Sequence, residues 1–197
     1  MSLFFETIKV QNSVIYNLKL HNERLNRTRK KFYHDTKEID LKDFISPPKD
    51  NRLYRCKVVY DSCIKSVDFY PYEEREIKSF KIVYSDIEYD YKYHDRSKID
   101  NLFAKKEACD DILIVDHHDR LRDTSIANIA IMIDGIWWTP KNPLLKGTMR
   151  EKFLRDNILY EKELFVKDIE NIENFAIMNA MIGFKILGDS SEKLFCK

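Results

Sequence analysis

Four polar residues interrupt an otherwise apolar run: Asp123, Thr124, Ser125 and Asn128 follow ILIV (Ile112 to Val115) and open onto NIAIMI (Asn128 to Ile133). They fall where a strand ends, and a rigid strand end is where a scaffold aims side chains at a ligand. A carboxylate, two hydroxyls and an amide supply both acceptors and donors there. Further on, Gly147-Thr148-Met149 opens a stretch that reads as a helix, Thr148 to Ile158. A helix N-terminus presents backbone N–H groups and the positive end of the dipole, which suits phosphate. The chain holds 4 glycines, so a Gly-rich phosphate loop is excluded. His117-His118-Asp119 invites a metal. Adjacent histidines in a turn point in different directions, and no second ligand cluster joins them, whereas catalytic zinc needs three convergent ligands. A polar turn is the better account, and no metal is expected.

The elements that must position these groups follow from periodicity. Leu3 to Val10 alternates as a strand, and Val14 to Asn17 returns after a Gln11-Asn12-Ser13 turn. Leu18 to Tyr33 reads as a helix with Leu18, Leu25 and Phe32 seven apart on one face and Arg and Lys covering the other. Asp35 to Asn51 holds a short helix and a Pro-Pro loop. Arg52 to Asp61, Cys63 to Tyr72 and Ile77 to Asp86 alternate as strands. Pro71 to Glu76 is charged and reads as a connection between a small α/β domain, 1–74, and a larger β-rich domain, 75–197. Ser97 to Ala108 is an amphipathic helix with Ile99, Leu102 and Phe103 as its apolar stripe. ILIV and NIAIMI are strands, and IDGIWW is a hairpin around Asp134-Gly135. In the tail, ELFV (Glu163 to Val166) reads as a strand, DIENIEN (Asp168 to Asn174) as a short helix and FAIMNAMIG (Phe175 to Gly183) as a strand entering a loop.

Composition narrows the function classes. In 197 residues, 34 Lys and Arg face 33 Asp and Glu, a formal net charge of +1. Balanced charge gives no long-range field for nucleic acid or an anionic membrane. No apolar run reaches the ~18 residues of a membrane span, and the N-terminus lacks the pattern of a signal peptide. Cys56, Cys63, Cys109 and Cys196 form no CxxC pair, so four free thiols in a reducing cytoplasm are expected.

RDTSIAN, then WWTP and PLLKGTMR, in that order and spacing, resemble the signature of the class IV aminotransferases, the fold-type IV pyridoxal phosphate enzymes. The resemblance runs from Phe5 to about Gly183 and includes ETIKV (Glu6 to Val10) and His21-Asn22-Glu23-Arg24-Leu25. It implies an α+β, two-domain, D-amino acid aminotransferase-like fold with pyridoxal 5'-phosphate as cofactor, in a homodimer. It implies that Lys92, in a K-x-x-x-R context with Arg96, forms the Schiff base and then serves as the base. Arg24 would reach the cofactor phosphate; as a residue on its own it reads as one more solvated basic side chain. Asp123 stands where the family has Glu and would hold the proton on the pyridine nitrogen; on its own it is a hairpin-turn acid. Ser125, the backbone amide of Ile126, Thr148 and Met149 match the remaining cofactor contacts, with Thr148-Met149 replacing the usual Ile-Thr. Lys57 and Asn179 are candidates for the substrate, although Lys57 on its own reads rather as a plain strand lysine. Members carry a further ~25–30 residues before this first strand, so the small domain is expected to be trimmed. The "NALMG"-like stretch at Met178 to Gly183 is similar to the 4-amino-4-deoxychorismate lyase branch. That branch acts on a small amino substrate and yields p-aminobenzoate and pyruvate. An amino-acid transaminase, of branched-chain or D-amino acid type, is the alternative. A cofactor-binding protein without turnover is the third reading.

Overall fold

A computed structural model of the chain describes residues 2–34, 37–188 and 194–196. Asp35 and Thr36, which open the stretch expected to hold a short helix, lie outside the described residues. The chain divides into two units, residues 1–74 with Tyr91–Asp95, and residues 75–90 with 96–197.

In the first unit, strand β1 (Phe4–Gln11) buries Phe4, Glu6, Ile8 and Val10 in one alternating row. The period that makes it a strand therefore places a carboxylate in a core-facing position. β2 (Val14–Ile15) and helix α1 (Leu18–Tyr33) follow, then a short 3-10 turn at Leu41–Asp43, β3 (Leu53–Tyr60) and β4 (Ile64–Pro71). The antiparallel sheet runs β2-β1-β3-β4, with β1 and β3 paired over their full lengths. Leu25, Leu41, Ile45, Tyr54, Cys56, Val58 and Tyr60 join the β1 row in one core. Tyr91 and Tyr93 pack onto it, and Lys92 accepts a backbone bond from Phe5 N (3.0 Å). On α1 the buried residues are His21, Arg24, Leu25, Thr28 and Arg29, spaced i, i+3, i+4, i+7 and i+8. The expected apolar stripe forms, with Leu25 buried and Leu18 and Phe32 packed against the same core. The basic residues are not all on the solvated face, however: Arg24, Arg29 and His21 are buried too, because Glu6 and backbone carbonyls receive their donors.

The second unit contains β5 (Phe80–Tyr84), α2 (Ser97–Phe103), β6 (Asp111–Val115), β7 (Leu121–Thr124), β8 (Asn128–Ile133) and β9 (Ile136–Pro140). It continues through α3 (Thr148–Arg155), β10 (Tyr160–Lys162), β11 (Asn174–Asn179) and β12 (Gly183–Gly188). The sheet runs β10-β9-β8-β7-β6-β5, and β11 pairs with both β8 and β12. β5/β6 and β9/β10 are parallel, the other pairs antiparallel. β8 is the hub: it pairs with β9, with β11 and, at Asn128, with Asp123 of β7. Leu113, Val115, Leu121, Ile129, Ile131, Phe175 and Ile177 fill one core beneath it. The β8–β9 hairpin turns at Asp134 and Gly135, both with positive φ (53° and 71°), the geometry that an Asp-Gly pair favours.

Four expectations change. ELFV is not a strand: Leu164 is buried as a single peg in the core, Phe165 makes one isolated bridge to Arg120, and a 3-10 turn runs Val166–Asn171. DIENIEN is correspondingly shorter as a helix, since Asn174 already begins β11. β12 had no sequence signal, because an edge strand with half-buried positions shows no sharp alternation. Cys109 and Cys196 are joined in a disulfide with Cα atoms 6.4 Å apart, while Cys56 and Cys63 are free. Their sequence separation of 87 hid the pair; Cys196 N donates to the Phe80 carbonyl (3.0 Å), which brings the tail back to β5. No helix among the described residues is long and apolar enough to cross a membrane.

Candidate functional site

Asp123, the last residue but one of β7, is buried and pairs with Asn128 of the hub strand. Its Oδ2 accepts from Leu145 N (2.9 Å) and its Oδ1 from Asn128 Nδ2 (2.8 Å). Burial pushes the Asp123 carboxyl up to about 6, against those two hydrogen bonds and the more distant charges of Arg150 and Arg122. Among the described residues, both of its hydrogen-bond donors are neutral amides. The site therefore holds a carboxylate that a cation would stabilise. Asn128 also donates to the Leu145 carbonyl (2.7 Å) and accepts from Gly147 N (3.1 Å). One amide thus links the strand-end acid to the start of α3, where Thr148, Met149 and Arg150 are buried. Gly147 caps that helix, and a Cβ there would overlap the Asn128 carboxamide oxygen. Thr148 stands at the helix start. Met149 puts its side chain into a core with Ala130, Leu159, Ala176 and Met178, which leaves its backbone for any contact at the helix end.

The turn between β7 and β8 is closed on itself. Thr124 Oγ1 accepts from Ala127 N (3.0 Å) and Ile126 N (3.3 Å), and Thr124 N donates to the Ala127 carbonyl (2.9 Å). Ile126 N–H is thus spent within the turn, at the long end of hydrogen-bond range. Ser125 is buried and bonds Asp111 through its side chain and backbone, and Arg96 Nη2 donates to its carbonyl (3.0 Å). Burial raises the Asp111 carboxyl despite these bonds and the nearby Arg75 charge. Asn179 Nδ2 reaches the Ile126 carbonyl (3.3 Å), while its Oδ1 caps Met181 N and Ile182 N. The second unit thus ties Ser125, Ile126 and Asn179 into one network, and Asp123 to the start of α3 in another.

In the first unit, Arg24 is buried against Glu6. Its Nε donates to Glu6 Oε1 (2.9 Å) and its Nη2 to Oε2 (2.5 Å), a two-point fork. His21 Nδ1 lies 2.6 Å from the same Oε2. Burial alone would push the Glu6 carboxyl up; the Arg24 charge and the His21 contact outweigh it and hold it at about 2. Burial lowers His21, against the pull of Glu6, so the ring is neutral near pH 7. Lys92 Nζ lies 4.5 Å from the centroid of the Phe5 ring, and Lys57 Nζ lies 5.5 Å from it. Lys57 also approaches His94 Nε2 (3.3 Å), and because an ammonium only donates, that nitrogen accepts. Lys57, Lys92 and His94 thus gather around one aromatic ring.

Sequence reasoning missed the partners. Glu6 lay in plain view inside ETIKV, and its place in the core-facing row was the available signal. Asn128 was noted only as a polar break. His94 and Asp111 gave no signal, since each acts through a residue far along the chain.

The family profile for amino-transferase class IV matches residues 92–186. An uncharacterised protein of Haemophilus influenzae is 36% identical over 184 residues, spanning 91% of this chain and 97% of that one. The crystal structure of a proposed 4-amino-4-deoxychorismate lyase from Haemophilus somnus superposes with a TM-score of 0.85 at 31% identity, covering 93% of this chain and 98% of that one. A hypothetical aminotransferase of Mycobacterium tuberculosis in its PLP-bound form shares the fold at 15% identity, with a TM-score of 0.75 over 94% of this chain and 80% of that one.

Proposed function

The chain belongs to the class IV aminotransferase family, a family of pyridoxal-phosphate-dependent enzymes, and on that premise we propose that it binds pyridoxal 5'-phosphate and acts as a 4-amino-4-deoxychorismate lyase. The observation that carries the cofactor is Asp123, a buried carboxylate raised to about 6 whose hydrogen-bond donors among the described residues are neutral. Such a group suits a protonated pyridine nitrogen and has little reason to stay buried without one. The family's tie to the lyase branch rests on the Haemophilus somnus relative.

When bound, the cofactor supplies an aldehyde for the substrate amine and a ring that accepts an electron pair. This chain's residues do the rest. Lys92 Nζ would hold the cofactor and would be freed when a substrate amine takes its place. The freed Nζ would take the proton from the carbon that bears the amine and deliver it to the methylene carbon of the departing enolpyruvate, which becomes pyruvate as the ring aromatises. Asp123 holds the positive charge at the ring nitrogen. Arg24 of the first unit would contact the phosphate, as would, in the second unit, the backbone at Thr148 and Met149 together with Ser125 and Ile126. Lys57 and Asn179 take the substrate carboxylates. The same premise makes the protein a cytoplasmic homodimer, which light scattering would refute by returning the mass of one chain.

The experiment is direct. The purified protein should be yellow, and borohydride should label Lys92; Lys92→Ala should lose the absorbance. Labelling of another lysine removes Lys92 from its role. With aminodeoxychorismate, p-aminobenzoate and pyruvate should form in equal amounts. Turnover only with amino-acid and keto-acid pairs would overturn the lyase reading.

A further inference from the structure

We infer that Glu6 and His21 are positioning residues, and that the buried Glu6–His21–Arg24 triad, rather than Arg24 alone, is the anion-binding device of the first unit. The inference rests on the reading that Arg24 contacts the cofactor phosphate. Two sequence fragments that look separate, ETIKV and HNERL, are the two halves of this device. Glu6 comes from the core-facing row of β1, and His21 and Arg24 come from successive turns of the buried face of α1.

An arginine side chain has many rotors, and a phosphate contact needs its planar fork held in one orientation. Glu6 supplies that constraint. Its two oxygens take Arg24 Nε–H and Nη2–H, which fixes both the place and the plane of the guanidinium. The carboxylate is fully buried, so solvent does not compete for these bonds. The triad keeps one negative and one positive charge in the core, because His21 is neutral. Glu6 is ionised and carries no proton, so Nδ1 of His21 must carry the hydrogen of their short contact. The other ring nitrogen is then a lone pair. Nε2 of His21 is buried and has no hydrogen-bond partner among the described residues. A buried acceptor of this kind is completed by water or by a ligand. The groups whose charge reaches the ring are Glu6, Arg24 and Lys92, and the two cations disfavour a second proton on it. His21 therefore offers an acceptor to a donor that arrives with the anion, such as a protonated phosphate oxygen or its water.

The test is a double-mutant cycle on the full chain freed of cofactor, read as the dissociation constant for pyridoxal phosphate and, in competition, for inorganic phosphate. Glu6→Gln keeps the shape and removes the charge, and should weaken binding about ten-fold or more, as expected for loss of a charge-assisted pair. Arg24→Ala should weaken it at least as much. In the Arg24→Ala background, Glu6→Gln should have no further effect, because Glu6 acts only through the arginine. A merely structural Glu6 would weaken binding by the same factor with or without Arg24, and that additivity would overturn the inference. So would parent affinity in Glu6→Gln when Arg24→Ala is weak. Parent affinity in Arg24→Ala would sink the phosphate reading itself, a different outcome. Should Glu6→Gln not fold, Glu6→Asp runs through the same cycle: it keeps the charge but falls one methylene short of the fork, so it should weaken binding in the parent and have no further effect in the Arg24→Ala background. The 15N spectrum of His21 should show the ring's proton on Nδ1 at pH 8; a proton on Nε2 would overturn the assignment of the triad.

Discussion

Glu6 and Asp123 are both buried carboxylates, one in each unit, and they are driven in opposite directions. Glu6 is held at about 2, and Asp123 is pushed up to about 6. Burial raises both, so depth does not separate them. The partners do. Glu6 meets a guanidinium fork and an imidazole N–H, whereas Asp123 meets two neutral amide donors. A buried acid with an internal cation is a finished structural unit. A buried acid with only neutral donors is an unfinished one, poised for a cation from outside the chain.

The contrast can be broken first at Glu6. Glu6→Ala strips the anion from a buried pair and leaves Arg24 without its fork, so urea unfolding should show a loss of roughly 3–5 kcal/mol. A loss under 1 kcal/mol would mean that the pair is not closed in solution.

Next comes Asp123, where the larger effect should fall on chemistry. Asp123→Asn should slow single turnover at least ~100-fold, the scale for one preorganised electrostatic partner. It should also cost stability, since either orientation of the new amide turns an NH2 toward a donor, Leu145 N or Asn128 Nδ2. Asp123→Glu should retain most activity. An Asn variant as fast as the parent would reduce Asp123 to a structural acid.

The two acids also predict opposite pH slopes. The Glu6 value lies below its unfolded one, so its contribution is present above about pH 4.5 and is lost as pH falls toward 2. The Asp123 value lies above its unfolded one, so its contribution is greatest below 3.8 and is lost as pH rises to about 6. Cofactor-free protein should therefore lose on the order of 2–3 kcal/mol from this group across that window. The loss should be missing in Asp123→Asn and reduced when cofactor is bound. Equal slopes in parent and variant would contradict the shift. The smallest change is Arg96→Ala, which frees the Ser125 carbonyl of one bond and should lower stability by about 1 kcal/mol. No change in the hydrogen exchange of the 124–127 turn would show that Arg96 does not clamp it.

Local pattern carried much of this in advance. α1 occupies the stretch from Leu18 to Tyr33 that periodicity marks, and the Asp134-Gly135 turn forms where the pair of residues demands positive φ. What pattern could not carry were relations across the chain. Nothing local in α1 says that Arg24 faces Glu6 eighteen residues earlier, so its buried stripe looked like a solvated one. Cys109 and Cys196 are another such pair. ELFV failed because four apolar-looking residues can serve one buried peg as well as a strand. In the candidate site, Asp123, Ser125 and Thr148 drew notice as polar residues at element ends. Asn128 drew notice only as a polar break, because its role is a web of contacts to Asp123, Leu145 and Gly147 that appears only on folding.

The close fit of Gly147 against Asn128 has a consequence for how this sequence can vary. The amide that a new Cβ would strike is buried and already committed to Asp123, Leu145 and Gly147, so it cannot swing aside cheaply. The two positions are therefore not free to drift separately. In a library randomised at both, survivors with a side chain at 147 should carry a smaller residue at 128, and those keeping Asn128 should keep glycine. A shortened residue at 128 would leave the Asp123 carboxylate one donor poorer. Tolerance at one end of this segment is thus bought with charge control at the other, and sequence exploration here proceeds by paired steps.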